Sequence, residues 1–200
     1  ASRSNRADGY GAAGQLDLAL PLSEETLKLQ RAKLGPDHPS TLISMKNLAL
    51  VYQDTGRLDQ GLQLTQETLK LQKAKLGADH PSTLINMNNL AAGFWSLNQL
   101  DKSIPLFEEL LPLQEKKLGR GHPDTQRTVA NLGVNYKDAG RLEEAIPLLE
   151  EAYRASQQFQ TRRFVGPQLM DAYVKAGKSV AARKLIEEVL AEDRKALPKD

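Results

Sequence analysis

Three histidines are the residues best suited to chemistry in this chain. His38, His80 and His122 stand 42 residues apart, inside near-copies of one phrase: LGPDHPSTL, LGADHPSTL and LGRGHPDTQ. An imidazole can ligate zinc, move a proton or cap a helix. Zinc requires ligands about 2 Å from one centre, whereas equivalent side chains on packed helices sit about 8–10 Å apart. The chain has no Cys and no second His beside any of the three, so no metal site is expected. The carboxylate pairs Glu108–Glu109 and Glu143–Glu144 offer acid–base chemistry. Both fall near the start of a helical pattern, where water solvates them and the helix dipole favours them. Catalysis needs a polar cluster set inside an apolar pattern, where pKa values shift, and the sequence has none. No enzyme activity and no cofactor are expected.

The recurrence itself carries more information than any single histidine. At the same 42-residue offset Asn47, Asn89 and Asn131 align, as do Leu48, Leu90 and Leu132, then Tyr52, Phe94 and Tyr136. Stepping back recovers Asn5, Ala7, Tyr10, Gly14 and Leu16; stepping forward by 37 residues matches Tyr173 and Gly177 to Tyr136 and Gly140. Five units follow, approximately 1–35 with a truncated first helix, 36–77, 78–119, 120–160 and 161–198, forming one domain over residues 1–200.

Two helices are legible in each unit. Leu42, Met45, Leu48, Ala49 and Tyr52 recur at helical spacing over Pro39–Asp54, and Leu58, Leu62, Thr65, Leu69 and Leu76 over Leu58–Leu76. Gly56 and Gly77 stop the two helices, and Pro81 starts the next. Asp79, His80 and Ser82 are placed to satisfy free donors at that start. The repeated phrase is thus a joint between hairpins. Most of the ten Pro and fourteen Gly are expected between helices. Asn98 replaces a turn Gly and is expected to keep the turn, since Asn tolerates positive φ. Ala19, Gly61, Ser103, Ala145 and Ala182 stand five residues after each turn; all are small, as a close helix crossing requires. In the last unit Gly166–Pro167 falls inside the expected first helix. That helix either begins near Pro167 or kinks there, with irregularity over about 157–167.

Lys and Arg number 27 against 25 Asp and Glu, giving a net charge of +2 with no basic block. This argues against a nucleic-acid partner. No apolar run is long enough to span a membrane, and a cytoplasmic location is expected.

The motif LGADHPSTLINMNNLAAGF, the small crossing residues, the late aromatic and the turn Gly together resemble the tetratricopeptide repeat. The 42-residue period is longer than the usual 34 and resembles the kinesin light chain type, over roughly Asn5 to Leu190. The near-identity of successive units also resembles arrays in large bacterial proteins, some with a serine/threonine kinase domain upstream. The resemblance implies an all-α, right-handed α-solenoid (superhelix) of five stacked helix-turn-helix hairpins. It further implies a concave face that binds an extended segment of a protein partner. Carried onto this chain, groove positions are Lys46, Asn47, Leu50 and Gln53; Asn88, Asn89, Ala92, Trp95 and Ser96; and Arg127, Asn131, Val134 and Lys137, with Lys175 at the far end. The Asn ladder reads either as a clamp on a peptide backbone or as glue between helices. Trp95 reads either as an anchor or as packing. Lys46, Arg127, Lys137 and Lys175 suggest an acidic partner. Apolar faces at the array's ends suggest end-to-end self-association. The alternative to peptide binding is a structural spacer or self-association scaffold whose groove stays empty.

Overall fold

The computed structural model describes residues 16–155 and 159–196, with side chains over 19–155 and 162–189. Asn5, Ala7, Tyr10, Gly14 and Gln157 lie outside the described residues. Among those described, every regular element is a helix. In chain order these are α1 (Leu16–Leu34), α2 (Pro39–Asp54), α3 (Leu58–Leu76), α4 (Pro81–Ser96) and α5 (Leu100–Leu118), then α6 (Pro123–Asp138), α7 (Leu142–Ala155), α8 (Phe159–Lys175) and α9 (Ser179–Ala196).

The joint phrase does the work expected of it. His38, His80 and His122 are N-caps in extended backbone, and each Nδ1 accepts the N–H two residues on, at 3.2 Å, from Ser40, Ser82 and Asp124. Pro39, Pro81 and Pro123 occupy the first helical turn, where a missing N–H breaks no intrahelical bond. Gly35, Gly77 and Gly119 end the preceding helices at φ 92°, 94° and 89°. In the tighter turn inside each hairpin Gly56, Gly140 and Gly177 take φ 75°, 76° and 69°, and Asn98 takes 55°.

The small-residue positions are all buried. A Cβ built on Gly61 would lie 3.0 Å from the carbonyl oxygen of Ala49, so α2 and α3 cross with almost no space to spare.

Two expectations need correction. Half of the prolines are not between helices: Pro21, Pro105, Pro112, Pro147 and Pro167 lie inside them. All five face solvent, so the carbonyl each leaves unpaired can turn to water. Nor does α8 begin near Pro167; it starts at Phe159, about two turns earlier. Its buried stripe Val165, Leu169 and Ala172 spans the proline, and α8 packs against α7.

The helices gather into two compact units, up to Leu97 and from Asn98 onward. In the first, contacts run α1–α2, α2–α3 and α3–α4; in the second, α5–α6, α6–α7, α7–α8 and α8–α9. Within each unit, each helix therefore packs on its chain neighbour. The second unit adds a contact between the first helices α6 and α8, whereas α2 and α4 make no such approach in the first unit.

Candidate functional site

Because α2 and α4 stay apart, a cleft opens between them with α3 as its floor. Its larger part, about 400 Å³, has Lys46, Leu50 and Gln53 on the α2 wall and Asn89, Ala92 and Ser96 on the α4 wall, with Leu58, Leu62 and Thr65 below. A second part of about 280 Å³ adjoins it, sharing Lys46, Asn86 and Asn89, and is walled by Ile43 and Ile85. Gly93 gives the larger part its depth: a Cβ there would meet Leu62 Cδ2 at 2.3 Å, so α4 and α3 come together through a missing side chain.

The lining is mainly apolar and amide. Ile43, Leu50 and Ile85 are 59%, 48% and 54% exposed, high values for large aliphatic side chains that line one channel. Asn86 is buried and donates from Nδ2 to the Thr65 carbonyl at 3.3 Å, which fixes the cleft floor. The larger part contains one charged side chain, Lys46, and no carboxylate. In the smaller part the Asp37 carboxylate is held by Lys75 Nζ at 2.8 Å, and that partner pulls its pKa below the ordinary value. Lys46 makes no ion pair among the described residues, so the cleft carries one uncompensated positive charge.

Of the residues expected at the groove, Lys46, Leu50, Asn89 and Ala92 line this cleft, as do Gln53 and Ser96. Asn47, Asn88 and Trp95 are partly buried and do not line it. In the second unit Arg127 is exposed and pairs with Asp124 at 2.8 Å, while Asn131 is half-buried. Val134 is buried, and so is Lys137, which therefore does not present a charge to solvent. Lys137 Nζ donates to Gln168 Oε1 at 2.6 Å and pairs with Asp171 at 3.0 Å and Asp138 at 3.1 Å, tying α6 to α8. Lys175 also pairs with Asp171, at 2.9 Å. Ile43 and Ile85 were missed from sequence, although the signal was there: Ile43, Lys46 and Leu50 fall at i, i+3 and i+7, one helix face.

Among the described residues no cluster of His, Asp and Glu is arranged to hold a metal, and no helix is long and apolar enough to cross a membrane.

Comparison with known proteins places this geometry. The tetratricopeptide repeat family matches over residues 1–59, 45–116, 95–158 and 136–199. The chain belongs to the tetratricopeptide repeat family. Its solved relatives include a crystal structure from Podosopora anserina of "kinesin light chain nearly identical TPR-like repeats". That structure is 27% identical, has a TM-score of 0.82, and the match covers 98% of this chain and 96% of that one. BtubC (BKLC) from P. vanneervenii, at 20% identity and TM-score 0.79, covers 97% of this chain and is itself covered to 80%. MamA, at 16% identity and TM-score 0.74 over 99% and 96%, shares the fold. No curated protein sequence matches the chain. This tetratricopeptide repeat protein is thus an all-α solenoid of the kinesin light chain-like type. Repeats of this family, which are typically non-catalytic, serve as protein–protein interaction scaffolds, and a scaffold is the general role of this one.

Proposed function

We propose that the α2–α4 cleft receives a short extended segment of a partner protein, with a carboxylate on Lys46 and apolar side chains against Ile43, Leu50 and Ile85. The observation that carries this reading is the lining itself: exposed aliphatic side chains in one channel around a single uncompensated cation. An apolar channel with a few placed polar groups suits a ligand whose side chains leave water while one charge fixes its register. From Pro39 to Gln53 the α2 wall runs about 20 Å, the length of about six extended residues. Asn89 is exposed on the opposite wall and can donate to and accept from the backbone of such a segment. The second reading, a spacer whose groove stays empty, has the α6–α8 tie in its favour, since there a lysine and an amide serve the stack itself.

A display library of peptides about ten residues long, panned against the chain, tests the choice. Captured sequences should combine an acidic residue with aliphatic or aromatic neighbours. Their affinity should fall at least about tenfold for Lys46→Glu, equivalent to about 1.4 kcal/mol, and similarly for Ile43→Asp/Ile85→Asp. All three side chains are exposed, so the variants keep the fold. Equal capture by the parent and both variants would leave the spacer reading standing.

A further inference from the structure

The α2–α4 pair and the α6–α8 pair are made of equivalent positions, yet one pair stands open and the other closed. On the first wall Leu50 is 48% exposed, while its counterpart Val134 is 1% exposed. The floors match, since Leu62 and its counterpart Ile146 are both buried. What separates the pairs is a group of four positions where one first helix meets the next. In the closed pair these hold Lys137 and Asp138 on α6 with Gln168 and Asp171 on α8. Lys137 Nζ reaches the other three, at 2.6 Å from Gln168 Oε1, 3.0 Å from Asp171 and 3.1 Å from Asp138. In the open pair the same positions hold Gln53, Asp54, Asn89 and Ala92. Asp54 repeats Asp138 and Asn89 keeps the amide of Gln168, so the charge differs at two positions: Gln53 for Lys137 and Ala92 for Asp171. Neutral Gln53 and aliphatic Ala92 can form no ion pair between their helices.

The bond between α6 and α8 is also arranged so that it can open. Lys137 keeps Asp138 on its own helix, and Asp171 keeps Lys175 on its own, at 2.9 Å. Parting the helices therefore leaves each charge with an opposite charge beside it. A pair without such second partners would strand both charges.

We propose that Gln53 and Ala92, and their counterparts Lys137 and Asp171, determine which pair of first helices presents a groove, and that Lys137 latches a second groove shut between α6 and α8. Unlatched, that groove has Val134 and Gln168 on its walls and Ile146 below. Its rim is already in place, with Arg127 and Phe164 exposed where the open cleft has Ile43 and Ile85. That such a groove receives a peptide rests on the reading given for the α2–α4 cleft; the latch does not, and its test uses no peptide.

The chain has no Cys, so a single introduced thiol reports on one place. The probe is the rate at which Ellman's reagent modifies the whole chain carrying either Val134→Cys or Leu50→Cys. Adding Lys137→Gln/Asp171→Ala to Val134→Cys should speed its reaction by at least about tenfold, as the buried wall comes into contact with solvent. Adding Gln53→Lys/Ala92→Asp to Leu50→Cys should slow its reaction by at least about fivefold. A thiol in the core of the same helix, Val129→Cys, should stay protected when the latch is removed. Three results overturn the proposal. An unchanged rate at Val134→Cys would mean that the joint before α8, five residues shorter by its offset of 37 against 42, holds the pair closed. An unchanged rate at Leu50→Cys would mean that the two residues cannot close a groove, and an equal rise at Val129→Cys would mean that the unit unfolds instead of opening.

Discussion

Tyr136 donates its hydroxyl to Glu108 Oε1 at 2.8 Å, under an Arg141 guanidinium 4.1 Å from the ring centre. Tyr52 makes the same bond to Glu24 at 2.9 Å, and Tyr173 to Glu150 at 2.7 Å. Each links a first helix to the second helix before it, in α2, α6 and α8. The fourth case exchanges both partners at once: Phe94 stands where the Tyr would be and Gln66 where the Glu would be. A Glu facing Phe would lose its donor and keep the desolvation cost, so the two exchanges belong together. The spacing is 28 residues for Tyr52–Glu24 and Tyr136–Glu108 but 23 for Tyr173–Glu150, and only packing shows that the two groups meet. Burial raises the Tyr136 pKa from 10.0 to about 12, with the Glu108 hydrogen bond adding to it. Burial raises Tyr52 and Tyr173 as well. A group whose folded pKa is raised stabilises fully below its unfolded value, and that stability drains as pH climbs from 10 to about 12. Tyr136→Phe should therefore cost about 1 kcal/mol at neutral pH. It should also lower the stability less steeply than the parent's above pH 10. Urea midpoints measured along a pH series check both; parallel curves would dismiss the bond.

At the scale of the element, the helices were legible because their boundaries are chemical. The ends of α2 and α3 coincide with the sequence reading since His38, Pro39, Gly56 and Gly77 each satisfy or remove a specific backbone group. The prolines were misplaced for an equally physical reason. Pro21, Pro105 and Pro147 recur at one exposed site in the second turn of α1, α5 and α7, where a lost hydrogen bond is replaced by water. Local rules judge a proline by its covalent geometry alone and miss that solvent. Asn98 tests the turn chemistry directly, holding φ 55° where Gly56, Gly140 and Gly177 hold similar angles. Asn98→Ala should destabilise by about 1 kcal/mol, because a Cβ strains the left-handed region and Ala lacks the local polar compensation of Asn. Asn98→Gly should match the parent or exceed it by a few tenths of a kcal/mol. Thermal unfolding of the three proteins ranks them, and an Ala variant equal to the parent would contradict the turn argument.

Across the whole molecule, the repeat makes equivalent positions look interchangeable, and the structure shows how they part. Gln53 lines the cleft, while Lys137, at the equivalent position 84 residues on and read from sequence as another groove residue, is buried between α6 and α8. Both obey the same periodicity; Gln168 and Asp171, in the shorter last unit, give Lys137 partners on the next first helix. Because each hairpin of a repeat protein is held chiefly by its neighbours, that tie should govern how readily the last hairpin opens. Removing one side of a buried ion pair leaves the other groups uncompensated and can cost several kcal/mol. Asp171 is 40% exposed at its side chain and keeps Lys175, so the loss here should be about 1–2 kcal/mol. Lys175 and Lys137 both hold the Asp171 carboxyl below its ordinary value. A depressed carboxylate stabilises above its unfolded pKa and loses that contribution as pH falls through the folded one. Lys137→Ala should therefore speed amide exchange in α8 and α9 by about five- to thirtyfold at neutral pH, with α6 and α7 retaining their protection. The difference from the parent should shrink in acid, as Asp171 becomes neutral in both proteins. Exchange that rises equally through α6 and α7 would mean the second unit opens as one body, and that Lys137 does not fasten its last hairpin separately.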